Sequence, residues 1–154
     1  MRFTLRLPGI AADSAPRTNV PSDVMFALVN EARKAGGLAP YRRLPVLDRV
    51  AQIRTDDMVA RDYFGHITPD GRTGYTDALA SLGVSYAWAG ENLAMNNHPP
   101  ERSVTRAHEQ LMESPTHRAN IMEPRDFDSI GIGFTAAPNG RRYYAELFLG
   151  GIAT

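Results

Sequence analysis

Residues 129–151 read SIGIGFTAAPNGRRYYAELFLGG, and this stretch decides the fold class. Ile130, Ile132 and Phe134 alternate with Gly131, Gly133 and Thr135, the two-residue period of a strand with one apolar face. Asn139-Gly140 is a hairpin signal, because both residues tolerate the left-handed backbone that a tight turn needs. RRYYAELFL then returns as the partner strand. The first two thirds of the chain read as helices. A hairpin closing such a chain makes it α+β, not a series of βαβ units.

Working upstream, PERSVTRAHEQLMES reads as a helix over about Pro100–Ser114, opened by proline and ended by Pro115. Its wheel gathers Val104, Ala107, His108, Leu111 and Ser114 on one face, with Arg106, Glu109 and Glu113 opposite. Before it, VSYAWAGENLAM reads as an extended segment. A shorter helix over about Tyr75–Leu82 repeats apolar residues at the helical spacing and meets Gly83 as its C-terminal cap. DYFGHITPDGRTG is turn-rich, with Pro69-Asp70-Gly71 as a tight turn. A helix over about Leu47–Arg61 turns Leu47, Val50, Ala51 and Met58 inward. The first helix is DVMFALVNEARKAG, capped by Ser22 or Asp23 and stopped by Gly36-Gly37. Its buried stripe is Val24, Leu28 and Ala32, with Met25 and Val29 beside them. One domain over 22–154 follows an N-terminal segment, 1–21, made of strand-like RFTLRL and a Pro/Gly-containing linker.

Composition narrows the partners. Lys plus Arg and Asp plus Glu are 17 each, so the chain lacks the broad basic footprint of a nucleic-acid binder, and no nucleic-acid partner is expected. Without cysteine there is no disulfide framework, no thiol nucleophile and no thiolate ligand, so any metal must use His, Asp or Glu. The first residues begin like a signal peptide, but Arg6 and Pro8 interrupt the apolar run, and no segment is long and apolar enough to span a membrane.

The four histidines are His66, His98, His108 and His117. His98 reads as an exposed loop residue and His108 as a hydrogen-bonded histidine at the core edge. His66, in the turn-rich stretch, reads as a surface turn residue or as a site residue. His117 lies just past Pro115, with Ser114 turned inward beside it. Glu91 sits in an apolar, aromatic-rich strand. It is either a surface residue on an edge or an inward carboxylate that must find partners, and two imidazoles would serve. Ser114 with His117 has the residue types of a nucleophile and base, but no G-x-S-x-G elbow surrounds them.

Taken in order, LVNEARKAGGLAP, DMVARDYFGHITPDGRTGYTDALASLGV, AGENLAM, LMESPTHRANIMEPRDFDSIGIGF and YYAELFLG resemble the CAP superfamily, or SCP domain. The name joins cysteine-rich secretory proteins, antigen 5 and pathogenesis-related 1 proteins. The resemblance covers about Val24–Gly150 and is to the short bacterial branch without disulfides. It implies a three-layer α-β-α sandwich with a small, mainly antiparallel central sheet and a large cleft. It places His66, Glu91 and His117 in that cleft as candidate ligands for Zn2+ or another divalent cation. Ser114, Asn120 and Trp88 are further candidates for its wall. Where other branches carry a second glutamate this chain has Ser114, and Leu111 replaces a common tryptophan. The function implied is a monomeric, non-enzymatic extracellular or envelope binding module for a small-molecule, lipid or peptide ligand. The alternative is a metal-assisted hydrolase, a peptidase, in the same cleft.

Overall fold

The computed structural model describes residues 20–152. The N-terminal segment read as a strand and linker lies outside them, apart from its last two residues. Five helices and four strands follow in the order α1 (Pro21–Ala35), β1 (Arg42–Arg43), α2 (Pro45–Ala60), α3 (Gly74–Ser81), β2 (Trp88–Asn96), α4 (Pro100–Glu113), α5 (Pro115–Ile121), β3 (Ser129–Ala136) and β4 (Arg142–Gly150). The sheet order is β1-β3-β4-β2. β1 runs parallel to β3, and the other two pairings are antiparallel. The closing hairpin is the one read from the sequence, with Gly140 at φ 87 in its turn.

Strand alternation sorts side chains into two cores, one on each face of the sheet. Ile130, Ile132, Tyr144, Phe148 and Ala94 pack with Met25 and Val29 of α1 and with Val104, Ala107 and Leu111 of α4. Tyr143, Ala145, Leu147, Leu149 and Leu93 pack on Leu47, Val50, Ala51 and Met58 of α2 and Leu79 of α3. The architecture is therefore a three-layer α-β-α sandwich, and β4, covered on both faces, is buried almost end to end.

The glycines of the Gly131/Gly133 alternation face α2. A Cβ at Gly131 would stand 2.0 Å from the Leu47 carbonyl carbon, and one at Gly133 2.3 Å from that of Ala51. Helix α2 thus rests on sheet backbone. Its side chains also close the outer edge of β3. Asp48 Oδ1 accepts from Ile132 N at 2.9 Å, and Gln52 both accepts from Phe134 N and donates to Phe134 O.

Three local readings change. Helix α1 starts at Pro21 with no side-chain cap, in place of a Ser22 or Asp23 cap, because proline fits the first helical turn, where its missing N–H is not needed. Its fully buried positions are Met25, Val29 and Arg33, one residue round from the expected stripe. Arg33 turns inward because it donates to the carbonyls of Ala39, Ile121 and Glu123 and stacks 3.6 Å over Tyr41. Pro115 does end α4, and it also opens α5 as its first residue, so His117 stands on a helix of its own.

Candidate functional site

Strand β2 is an edge strand of the sheet, and its Gly90-Glu91-Asn92 triplet sends successive positions to opposite faces. Glu91 points to the α2 side. Its side chain is 0% exposed, which requires compensation of the charge. Arg54 of α2 supplies it: Nε donates to Oε2 at 2.8 Å and Nη2 reaches Oε1 at 3.3 Å. His66 Nδ1 lies 2.8 Å from Oε1. The expected pair of imidazoles is therefore one imidazole and one guanidinium. A carboxylate only accepts, so the neutral His66 ring carries its proton on Nδ1 and leaves Nε2 as a lone pair. His66 itself is 48% exposed.

Arg54 is the residue that the sequence reading missed. It falls on the inward stripe of α2 between Val50 and Met58, and its burial is as complete as theirs. Nη1 donates to Tyr63 Oη at 2.7 Å and Nη2 to Gly65 O at 2.7 Å, tying the turn that carries His66 to the helix. Tyr63 Oη in turn donates to Asp57 Oδ2 at 2.6 Å. Gly74 makes the room, since a Cβ there would lie 2.2 Å from Arg54 Nη1. Behind the guanidinium a cavity of about 380 Å³ opens between α2 and α3, lined by Arg54, Asp57, Arg61, Asp70, Arg72 and Asp77 among others. Its charges are paired with one another: Arg61 with Asp57 and Asp70, Arg72 with Asp77.

On the other face Asn92 fastens α5. Its Nδ2 donates to His117 O at 2.9 Å and to Glu146 Oε2 at 3.0 Å, and its Oδ1 accepts from Asn120 Nδ2 at 2.9 Å. Tyr41 Oη donates to Asn120 O, and Arg33 to Ile121 O. These bonds occupy carbonyls at the end of a seven-residue helix too short to be stable unaided. His117 Nδ1 lies 2.8 Å from Ser114 Oγ, but Ser114 is not the inward residue of a helical wheel: it is half-buried in extended backbone between α4 and α5. Burial and, after it, the charge of His66 hold His117 below the ordinary histidine pKa. Gly90 lets the Phe127 ring come close: a Cβ would be 3.0 Å from it.

Asn120 thus joins the network under His117. Trp88, at the start of β2, is 55% exposed; Tyr86 shortly before it, and Phe64 and Ile67 flanking His66 in sequence, are exposed as well. Two histidines depart from their reading. His98 is half-buried, its carbonyl accepting from Arg142. His108 stands at the core edge, but its buried Nδ1 has no hydrogen-bond partner.

As a metal cage the set does not fit. Among the described residues no three or more His, Asp or Glu side chains converge on one point where an ion could sit. Both oxygens of Glu91 are already engaged by Arg54 and His66.

The sequence profile described as "CAP: Cysteine-rich secretory protein family" matches residues 26–148. The uncharacterized protein YkwD of Bacillus subtilis (strain 168) is 33% identical over 135 residues, which is 84% of this chain and 50% of that protein. The chain therefore spans about half the length of this relative. Among solved structures, an outer surface protein from Borrelia burgdorferi aligns with a TM-score of 0.72 at 19% identity, over 86% of this chain and 93% of the other. An extracellular protein containing an SCP domain from Bacillus anthracis aligns with a TM-score of 0.69 at 24% identity, over 84% and 40%. These two likenesses concern the fold.

Proposed function

Given that the chain belongs to the cysteine-rich secretory protein (CAP) family, we propose that it is a non-enzymatic binding module whose ligand docks on the His66 and His117 imidazoles at the edge strand β2. One observation carries this reading. A fully buried Arg54–Glu91 pair, costly to desolvate, holds a ring that is itself half exposed. Fixing an exposed imidazole adds little to the core, but it lowers the ordering cost of anything that binds to it. The exposed Phe64, Ile67, Tyr86 and Trp88 favour a ligand with an apolar body and a polar group, whether small molecule, lipid or peptide. No described helix is long and apolar enough to cross a membrane. Likeness to an extracellular and an outer surface protein supports placing this chain outside the cell or in the envelope.

The experiment is a thermal-shift panel of lipids, peptides and small polar molecules against wild type, His66→Ala and His117→Ala. A ligand of this site raises the wild-type melting temperature and loses that effect in both variants. Shifts that persist in both would sink the reading. A hydrolase using the same site is the second reading, favoured by the Ser114–His117 contact and by the lowered His117 pKa, which keeps the ring neutral and able to accept a proton. The metal-assisted form of it would have only the two Nε2 atoms for an ion. Peptide or ester hydrolysis that vanishes in Glu91→Ala and His117→Ala supports this reading, and hydrolysis indifferent to both refutes it.

A further inference from the structure

We infer that Arg54 is the resident cation of this site: its guanidinium neutralises Glu91 and, through Glu91, sets His66, so that the site assembles without a divalent ion. The inference concerns how the site is built and stands whether or not a ligand is found. It begins from the buried stripe of α2, where a charged residue occupies a core position at 1% exposure. Such a residue persists only when its donors are used, and each nitrogen of the guanidinium has an acceptor: Glu91, Tyr63 and Gly65. The fold reserves the space, because Gly74 leaves the hole that a methyl group would fill.

The carboxylate has little left to offer. Glu91 Oε1 takes both Arg54 Nη2 and His66 Nδ1, and Oε2 takes Arg54 Nε. A divalent ion coordinated to Glu91 would share the carboxylate with a fixed positive charge whose Nε is 2.8 Å away, and the two would repel in a poorly screened interior. The rigid fork of arginine also does what a spherical ion does not: it fixes the plane of the carboxylate and therefore the direction in which Oε1 faces His66. Arg54 is thus a positioning residue, acting on the imidazole through Glu91. Its consequence is a single His66 tautomer, with Nδ1 protonated and the lone pair on Nε2 of a half-exposed ring.

The test uses the whole chain. Wild-type protein is melted with excess EDTA and with excess zinc chloride, beside His66→Ala and His117→Ala. The expected result is a wild-type melting temperature that neither reagent moves. A zinc-induced rise that disappears in the histidine variants would overturn the inference, as would a fall with EDTA. The His66 tautomer is read independently by ring-nitrogen NMR. Arg54→Lys keeps the charge but not the fork, so it should keep the fold while weakening the preference for the Nδ1-protonated form. Because Arg54→Met alone strands a buried carboxylate, the bias is removed with the paired Arg54→Met/Glu91→Met variant, whose apolar side chains are of similar length. In that variant His66 should populate both tautomers. A tautomer unchanged in Arg54→Lys contradicts the role assigned to the guanidinium fork, and one unchanged in the paired variant contradicts the role of the Arg54–Glu91 pair.

Discussion

Glu91 and Glu146 are two buried carboxylates on neighbouring strands, on opposite faces of one sheet. Glu91 accepts from a guanidinium and an imidazole, so its charge is held at the centre of a connected set of bonds. Glu146 accepts one bond, from Asn92, and its Oε1 has no partner. Burial pushes the Glu146 carboxyl up to about 7, with Asn92 opposing the shift only in part. Equal burial therefore gives two kinds of acid. One is an ion fixed to orient a histidine. The other is poised to exchange its proton near neutrality, next to the asparagine that holds α5.

The most severe challenge to this contrast is to make Glu91 resemble its counterpart. Arg54→Met should cost about 3–5 kcal/mol of unfolding free energy, because it leaves a buried charge uncompensated. Adding Glu91→Met should recover most of that loss, and urea denaturation of the single and paired variants measures both. Recovery of none of it would mean that the arginine matters for its contacts with Tyr63 and Gly65, not for its charge.

The converse change acts on Glu146. Its folded pKa lies above the unfolded value of 4.5, so the folded state holds the proton more tightly. The stabilisation is complete below about 4.5 and is lost as pH rises towards 7. From 4.5 to about 7, at about 1.4 kcal/mol per pH unit, it amounts to roughly 3 kcal/mol. Glu146→Gln should flatten that slope in a series of urea midpoints across this range. A slope unchanged in the variant would assign the titration to another group. Gly74→Ala comes next, at about 1–3 kcal/mol, because the new methyl group drives into a guanidinium already held by its partners. The smallest effect is at His117. Its NMR titration midpoint should lie below 6.5 and move towards that value in His66→Ala, which removes the second of its two causes. As a depressed histidine it costs stability only as pH falls below 6.5.

The layers of the fold were legible in the sequence because they rest on periodicity. The hairpin of β3 and β4, the inward residues of α2 and the tight turn at Pro69-Asp70-Gly71 all follow from spacing and turn chemistry. Ser114 beside His117 was legible only as proximity along the chain, because Ser114 stands in extended backbone between two helices and holds no wheel position. What escaped were residues of one class used against type. Arg33 and Arg54 lie on buried stripes, yet an arginine in a helix reads as solvated until its acceptors are known, and those lie as far as 90 residues away. The signal was present for Arg54, which sits four residues after Val50 and four before Met58. Helix α5 was hidden for another reason. A proline is read as a stop, but the same missing N–H that ends one helix costs nothing at the start of the next. The two-residue β1 carries too few residues to show any period.

Gly131 and Gly133 have an outcome for how this chain can vary. They set the height at which α2 rides above the sheet, in the manner of a depth stop. Raising that stop by a methyl group lifts the helix, and Arg54 rides with it, away from an acceptor only 2.8 Å distant. Sequence drift at these two positions is therefore constrained by an imidazole that neither glycine touches. A map of tolerated substitutions should show them as unforgiving as Arg54 itself, while Ile53, exposed one residue before it, accepts replacement freely.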